Sequence, residues 1–213
     1  FTFASANAGT TTNAANNNFK IVPVTLIGDT RVNVFTLDGP NGNSGSRFMW
    51  KDGLGTAWAA RTSGNNIIEV EYDFFTGPIT DLRSQIGMRL YGNEIVGGVP
   101  TSRTLNGFVY TTNTRVLSGV AYLKNGATNG TFLITLATGG LILNANTWYR
   151  IGFAYNTTTG ETIWKTSSTD PGSGLPAENW IPNLVPDEAD FVQVIVGASP
   201  GNPAANPPVP AVP

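Results

Sequence analysis

The chain has 213 residues, 12% of them charged, a formal net charge of −2, and neither cysteine nor histidine. Without these two residue types, Ser-His-Asp triads, cysteine nucleophiles and thiolate or imidazole metal sites are excluded. The few basic residues cannot neutralise a run of phosphates, which argues against nucleic acid as a partner.

Taken in chain order, the sequence divides into three parts. Residues 1–18, which begin "FTFASA", predict an N-terminal extension or a strand exchanged with another molecule. Residues 19–198 predict one β-sandwich domain, and the proline-rich residues 199–213 predict an extended tail or linker. No apolar run approaches the roughly 20 residues that span a bilayer, so we expect no membrane-spanning segment.

Short segments of β-branched and aromatic residues with alternating polarity recur through the middle part. No stretch keeps a 3.6-residue period, and without crossover helices the strands are expected to pair antiparallel. The sequence therefore predicts an all-β, antiparallel two-sheet β-sandwich. The segments that predict strands are 19–27, 31–37, 46–51, 67–75, 83–91, 107–112, 115–123, 131–136, 147–155, 161–166 and 190–198.

Glycine pairs and Asn-Gly pairs mark the expected hairpin turns, because these residues accept positive φ. They are Asn41-Gly42, Asn106-Gly107, Asn125-Gly126, Asn129-Gly130 and Gly139-Gly140. A longer interruption at 167–190 predicts a Pro/Gly-rich loop that lies as a lid over a sheet edge.

The segment "IIEVEYDFF" at 67–75 places Glu69, Glu71 and Asp73 in one row, because alternate residues of a strand share a face. Pairing this strand with 83–91 in a hairpin would set Glu69 opposite Arg89. The simplest interpretation is then an outward polar face with one exposed ion pair between those two residues.

Residues 146–165, "NTWYRIGFAYNTTTGETIWK", resemble the laminin-G-like branch of the concanavalin A-like lectin and glucanase sandwiches. With "EYDFFTGP", "GMRLYGN", "LNGFVYTT" and "GVAYLKNG", the chain is similar to exported sandwich domains of flavobacteria and other Bacteroidetes, many of which use type IX secretion. The resemblance implies a concanavalin A-like jelly roll in a secreted or cell-surface protein.

Such domains usually close with a further strand after a phrase like that at 194–198, whereas this chain continues into prolines. The missing strand would leave an unpaired sheet edge. The segment "FTFASA" could fill that edge, either within its own molecule or in a neighbour.

The resemblance gives the acidic row two functional interpretations. Laminarinase-like hydrolases carry Glu-x-Asp-x-x-Glu or Glu-x-Asp-x-Glu on a strand, which makes Glu69, Glu71 and Asp73 candidate catalytic acids of a polysaccharide hydrolase or lyase. Legume-type lectins bind metal through a similar phrase, which makes Glu71, Asp73 and Asp81 candidate ligands of calcium. Otherwise we expect no cofactor.

Aromatic rings are the candidate sugar platforms, since the apolar face of a sugar packs well on them. Trp148 and Tyr149 lie on opposite faces of their strand, so at least one points away from the core, and Trp58 is a third candidate. We expect a non-catalytic glycan-binding or adhesion domain. A self-assembling filament or sheath subunit built by strand exchange, and a polysaccharide-cleaving enzyme, are the alternatives.

Overall fold

The computed structural model describes residues 2–6, 19–23, 33–37, 46–51, 54–81, 83–125, 128–137, 139–167, 181–182 and 188–198. In these ranges it has one short helix, α1 (Leu54–Ala59). The strands are β1 (Thr2–Ala6), β2 (Phe19–Pro23), β3 (Asn33–Leu37), β4 (Ser46–Lys51), β5 (Ile67–Phe75), β6 (Ser84–Val96), β7 (Val99–Thr111), β8 (Val116–Asn125), β9 (Thr128–Thr135), β10 (Leu141–Ile142), β11 (Trp148–Asn156), β12 (Glu161–Ser167), β13 (Ile181–Pro182) and β14 (Glu188–Ala198).

These strands form two antiparallel sheets and a separate β2–β3 hairpin. The large sheet has eight strands in the order β1-β4-β14-β6-β7-β8-β10, with β9 also paired to β8. The small sheet has the order β13-β12-β11-β5. The predicted all-β, antiparallel two-sheet sandwich is therefore confirmed, while jelly-roll connectivity stays a prediction.

The core lies between the two sheets, and half of the residues in its main cluster are aromatic. The ring centroids of Phe74 and Tyr110 are 5.1 Å apart, and those of Phe108 and Phe153 are 6.0 Å apart, both edge to face. Each such pair stabilises a core by about 0.5–1.5 kcal/mol beyond the burial of its area. Phe35 of the β2–β3 hairpin also packs against this core.

Buried polar contacts join the sheets at the core. Asn106 on β7 is fully buried, and its Nδ2 donates to the Ala154 oxygen on β11 at 2.8 Å. Trp164 on β12 donates from Nε1 to the Gly107 oxygen at 2.6 Å. The Asn106-Gly107 pair, predicted as a turn, is thus inside a strand, where it holds the layers together.

The turn that the sequence interpretation missed is Gly97-Gly98, between β6 and β7. Val96 is directly opposite Val99, and the two glycines have φ of 58° and 82°, as a two-residue type I′ turn requires. The Asn129-Gly130 prediction is wrong because both residues lie in β9. Gly139-Gly140 does form a turn, with φ of 80° and 93°, whereas Asn41-Gly42 lies outside the described residues.

The predicted hairpin of residues 67–75 with 83–91 is wrong, because those segments belong to different sheets. β5 pairs with β11, which sets Glu69 opposite Ala154, while Arg89 on β6 is opposite Gly107. Alternation determined the faces of these strands correctly but carried no information about their partners. A connection at Thr76, described below, fixes the start of β11 beside the end of β5.

Within this single chain β1 pairs with β4 at one edge of the large sheet, and exchange of the N-terminal strand with another molecule stays a prediction. β14 occupies an interior position between β4 and β6. The proline-rich residues 199–213 and most of the 167–190 loop lie outside the described residues. In the part of the chain that the structure describes, no helix has the length and apolar character needed to cross a bilayer.

Candidate functional site

The acidic row lies on the outer face of β5, an edge strand of the small sheet. Glu69, Glu71 and Asp73 are exposed, whereas Ile68, Val70 and Tyr72, which alternate with them, are partly buried and pack against the core. The face assignment made from sequence is therefore confirmed. Glu69 is opposite Ala154 and Glu71 is opposite Gly152, so neither faces another charged residue of β11.

Asp73 is engaged by Arg150, its direct partner on β11. Arg150 Nε donates to Asp73 Oδ1 at 2.9 Å, and a terminal guanidinium nitrogen donates to Oδ2 at 3.3 Å. The side chain of Asp73 is 28% exposed and that of Arg150 is 29% exposed. This forked pair fixes both planar groups in one orientation and cancels the charge of Asp73.

Trp148 extends the same face, because it lies two residues before Arg150 on β11 and is opposite Phe75 on β5. The two rings pack with centroids 5.2 Å apart, and Trp148 remains partly exposed while Phe75 is buried. The structure thus brings together Trp148, Arg150, Asp73 and Glu71, from segments some 75 residues apart in the chain. We call these four residues the Trp148 face.

The main chain beneath the Trp148 face is held by a hydrogen-bonded connection at the end of β5. Thr76 Oγ1 donates to the Asn144 oxygen at 2.8 Å and accepts from the Thr147 nitrogen at 3.0 Å. The Asn144 nitrogen in turn donates to the Tyr149 hydroxyl at 2.9 Å. The contacts fix the loop that leads into Trp148, so the ring is presented from a rigid base.

Tyr149 is turned into the core and is only 8% exposed. The prediction that Trp148 and Tyr149 point to opposite faces is confirmed, and Trp148 is the outward one. Tyr149 itself supports the loop through its hydroxyl and offers no platform to a ligand.

Trp58 lies on α1, which packs against β14 of the large sheet, and so belongs to a different part of the molecule. The guanidinium of Arg61 lies 3.7 Å above its ring centroid. Arg61 also donates to the Asn65 oxygen at 2.8 Å and the Trp58 oxygen at 2.9 Å. One face of the Trp58 ring is therefore already covered by a fixed cation.

The outer face of the large sheet is buried near its centre. Val109 and Val120 point away from the small sheet, yet they are only 2% and 1% exposed.

Asp81, the third predicted calcium ligand, is an exposed residue of the connection after β5. Among the described residues no group of three or more acidic side chains is placed to hold a metal, and calcium binding stays a prediction.

Arg150 is the site residue that the sequence interpretation missed. The signal was present in "TWYRIGF", because Trp148 and Arg150 alternate and must share a face. What was absent was the identity of the partner strand, without which the Asp73 contact could not be inferred.

Comparison of the chain with protein-family models, with curated proteins and with solved structures finds no match. The resemblance to laminin-G-like and concanavalin A-like domains, and the exported location that it implies, therefore stay predictions.

Proposed function

We propose that this chain is a non-catalytic β-sandwich that binds a neutral saccharide on the Trp148 face. The observation that carries the proposal is the forked Asp73–Arg150 ion pair beside the partly exposed ring of Trp148. An aromatic surface next to fixed, planar hydrogen-bonding groups is the combination that a sugar ring requires.

Each element of the face has a chemical role in this proposal. The Trp148 ring packs against the apolar C–H face of a sugar. The carboxylate of Asp73 accepts hydrogen bonds from sugar hydroxyls, and the guanidinium of Arg150 donates to sugar oxygens. Because each group already holds the other in place, little side-chain entropy is lost when the ligand binds.

The charge of the face favours neutral over anionic saccharides. Asp73 and Arg150 balance each other, so the four residues of the Trp148 face carry one net negative charge, that of Glu71, and Glu69 follows it on the same strand. A uronic acid or sulfate group placed there would meet like charge. Neutral glucans, mannans or galactans are the ligand class that fits.

The arrangement of the acids supports binding over cleavage. Retaining and inverting glycosidases need one carboxyl group on each side of the scissile bond. In the row Glu69, Glu71 and Asp73, the last position, where the hydrolase motif carries a glutamate, is held by the shorter Asp73, and Arg150 already donates to both of its carboxylate oxygens. A secreted or cell-surface protein that adheres to polysaccharide is the setting we propose for this binding.

The proposal is tested by screening the protein against immobilised neutral and acidic polysaccharides and measuring the positive ligands by calorimetry. We expect binding to a neutral polymer, and at least a tenfold loss of affinity, about 1.4 kcal/mol, in Trp148→Ala. Trp58→Ala is the matched control, since it removes the same side chain from α1 and should leave affinity unchanged.

Arg150→Gln provides a second variant that keeps Trp148 in place, and it should weaken binding while the circular dichroism spectrum is preserved. Equal affinity of wild type and both face variants would refute the site. Release of reducing ends from any polysaccharide, abolished by Glu71→Gln, would refute the non-catalytic assignment.

A further inference from the structure

The free edge of β9 differs in chemistry from the edge at β5. Within the described residues, β9 pairs only with β8. Its sequence, "TNGTFLIT", contains no charged residue and no proline. Natural sheet edges are normally protected by charges, prolines, bulges or a covering element, and an exposed apolar edge without these is a site for pairing with another strand.

Apolar side chains are exposed at this edge on both faces of the sheet. Leu133 is 56% exposed and Phe132 is 36% exposed, and the two point to opposite faces as neighbours on a strand. Ile142 on β10, which continues the same edge alongside β8, is also 56% exposed. A strand added beside β9 would cover apolar surface above and below the sheet.

We infer that the free edge of β9 pairs with β9 of a second copy of this chain, antiparallel and about a two-fold axis. With the axis at Leu133, that residue is opposite its own counterpart, Phe132 is opposite Ile134, and Thr131 is opposite Thr135. Each of these three pairs joins uncharged β-branched, aliphatic or aromatic residues, the pairs that stabilise antiparallel sheets.

Charge explains why β9, and not β5, makes this contact. The same two-fold operation applied to β5 with its axis at Glu71 would set Glu71 opposite Glu71 and Glu69 opposite Asp73. Like charges directly opposite each other destabilise a strand pair. The acidic row therefore prevents β5 from pairing with its copy, whereas β9 carries no such protection.

The symmetry of the contact limits the assembly to two chains. A two-fold interface uses the same surface on both molecules and leaves none of it free for a third. The two large sheets become one continuous sheet, and the Trp148 faces, which belong to the small sheets, are not used in the contact. A dimer formed this way presents two binding faces at once.

The test uses introduced cysteines, which report cleanly because the chain has none of its own. Single cysteines at Thr131, Phe132, Leu133 and Ile134 are oxidised with copper phenanthroline and separated on non-reducing gels. We expect covalent dimer from the residue nearest the axis, since Cα atoms of directly opposite residues in an antiparallel pair lie within disulfide reach. Val99→Cys, at an exposed residue beside the β6–β7 turn, is the control and should give no covalent dimer.

A charge variant tests the same contact without oxidation. Leu133→Lys should convert the dimer to monomer in sedimentation velocity between about 1 and 100 μM, a range that brackets micromolar affinity. Val99→Lys makes the equivalent change outside β9 and should leave the dimer intact.

Three results would overturn the inference. The first is a wild-type protein that stays monomeric across this range. The second is a dimer that persists in Leu133→Lys. The third is a dimer that dissociates in Phe3→Lys, on the β1 edge of the large sheet, and not in Leu133→Lys.

Discussion

Asn106 donates from its side-chain amide to the main-chain oxygen of Ala154, 2.8 Å away, and so joins the two sheets in the interior of the sandwich. Its Oδ1 accepts from the Gly107 nitrogen at 2.7 Å. Asn106→Ala should therefore lower the free energy of unfolding by about 1–3 kcal/mol, because buried groups lose their partners. Urea denaturation measures the loss, and Asn65→Ala, at an exposed side chain, should change stability by less than about 0.5 kcal/mol.

Asn106→Asp sharpens this test because it changes a donor into an acceptor at nearly constant shape. The buried carboxylate would face the Ala154 oxygen, so its pKa in the folded protein should rise above the unfolded value. The protonated form can donate as asparagine does, hence the variant should regain stability as pH falls from 7 towards 4. Stability of Asn106→Asp that is flat over this interval would contradict the contact.

Gly119→Ala should destabilise the protein by overpacking. A Cβ atom at Gly119 would lie 2.5 Å from Cε2 of Trp164, whose Nε1 bonds to the Gly107 oxygen. We expect a loss of about 1–3 kcal/mol in urea denaturation, and recovery of part of it in the double variant with Trp164→Phe. Gly130→Ala is the matched control, since its Cβ would be at an ordinary 3.5 Å from Phe132.

The Gly97-Gly98 turn predicts opposite results for two kinds of substitution. Gly97→Asn should be tolerated, because asparagine adopts positive φ more readily than most residues and Asn-Gly suits a type I′ turn. Gly98→Val places a β-branched residue at a φ of 82° and should cost about 1–2 kcal/mol. Thermal denaturation of the two variants measures this difference. Equal melting temperatures for Gly97→Asn and Gly98→Val would contradict the turn.

The Asp73–Arg150 pair should contribute little to folding even though we assign it to binding. A double-mutant cycle with Asp73→Ala and Arg150→Ala should give a coupling energy of about 0.2–1 kcal/mol at low salt, since both groups are partly exposed. The coupling should shrink in 1 M salt because exposed charges are screened. A coupling that is unchanged by salt would contradict this geometry.

Alkaline pH should unfold the protein through its tyrosines. Burial raises the pKa of Tyr72 and Tyr155, and also raises the pKa of Tyr110, where the nearby positive charge of Arg115 acts in the opposite direction. The folded state keeps these protons while the unfolded state loses them near pH 10, so stability is complete below that pH and is lost above it.

Absorbance at 295 nm and circular dichroism, followed together during an alkaline titration, check this prediction. The buried tyrosines should ionise only as the fold is lost. Between about pH 6 and 9 stability should be nearly flat, because the chain has neither histidine nor cysteine to titrate there. Reversible ionisation of every tyrosine with the far-ultraviolet spectrum unchanged would contradict the buried positions.

Sequence patterns predicted which residues face the core far better than they predicted which strands are neighbours. The alternation around Glu71 determined both faces of β5, since that property is local. The choice of β11 over β6 as its partner depends on contacts such as those of Thr76, between residues 71 positions apart. Arg150 was missed for the same reason, because its role exists only once β11 lies beside Asp73.

Asn106-Gly107 shows a second limit of local inference. The dipeptide has the composition of a hairpin turn, but tertiary contacts decide its conformation, because the Asn106 amide is satisfied across the core and Trp164 bonds the Gly107 oxygen. The real turn, at Gly97-Gly98, lies at the end of two 13-residue strands that extend beyond the predicted segments.

The interior position of β14 has a consequence for the order of synthesis. Among the described strands, β1 and β4 are joined to the rest of the large sheet through β14, which begins at Glu188, 137 residues after β4 ends. At the usual pace of translation, roughly 5–20 residues per second, about 7–27 s separate the two. For that interval the growing chain carries a two-stranded ribbon with no sheet to join, so the large sheet closes only when β14 has been made.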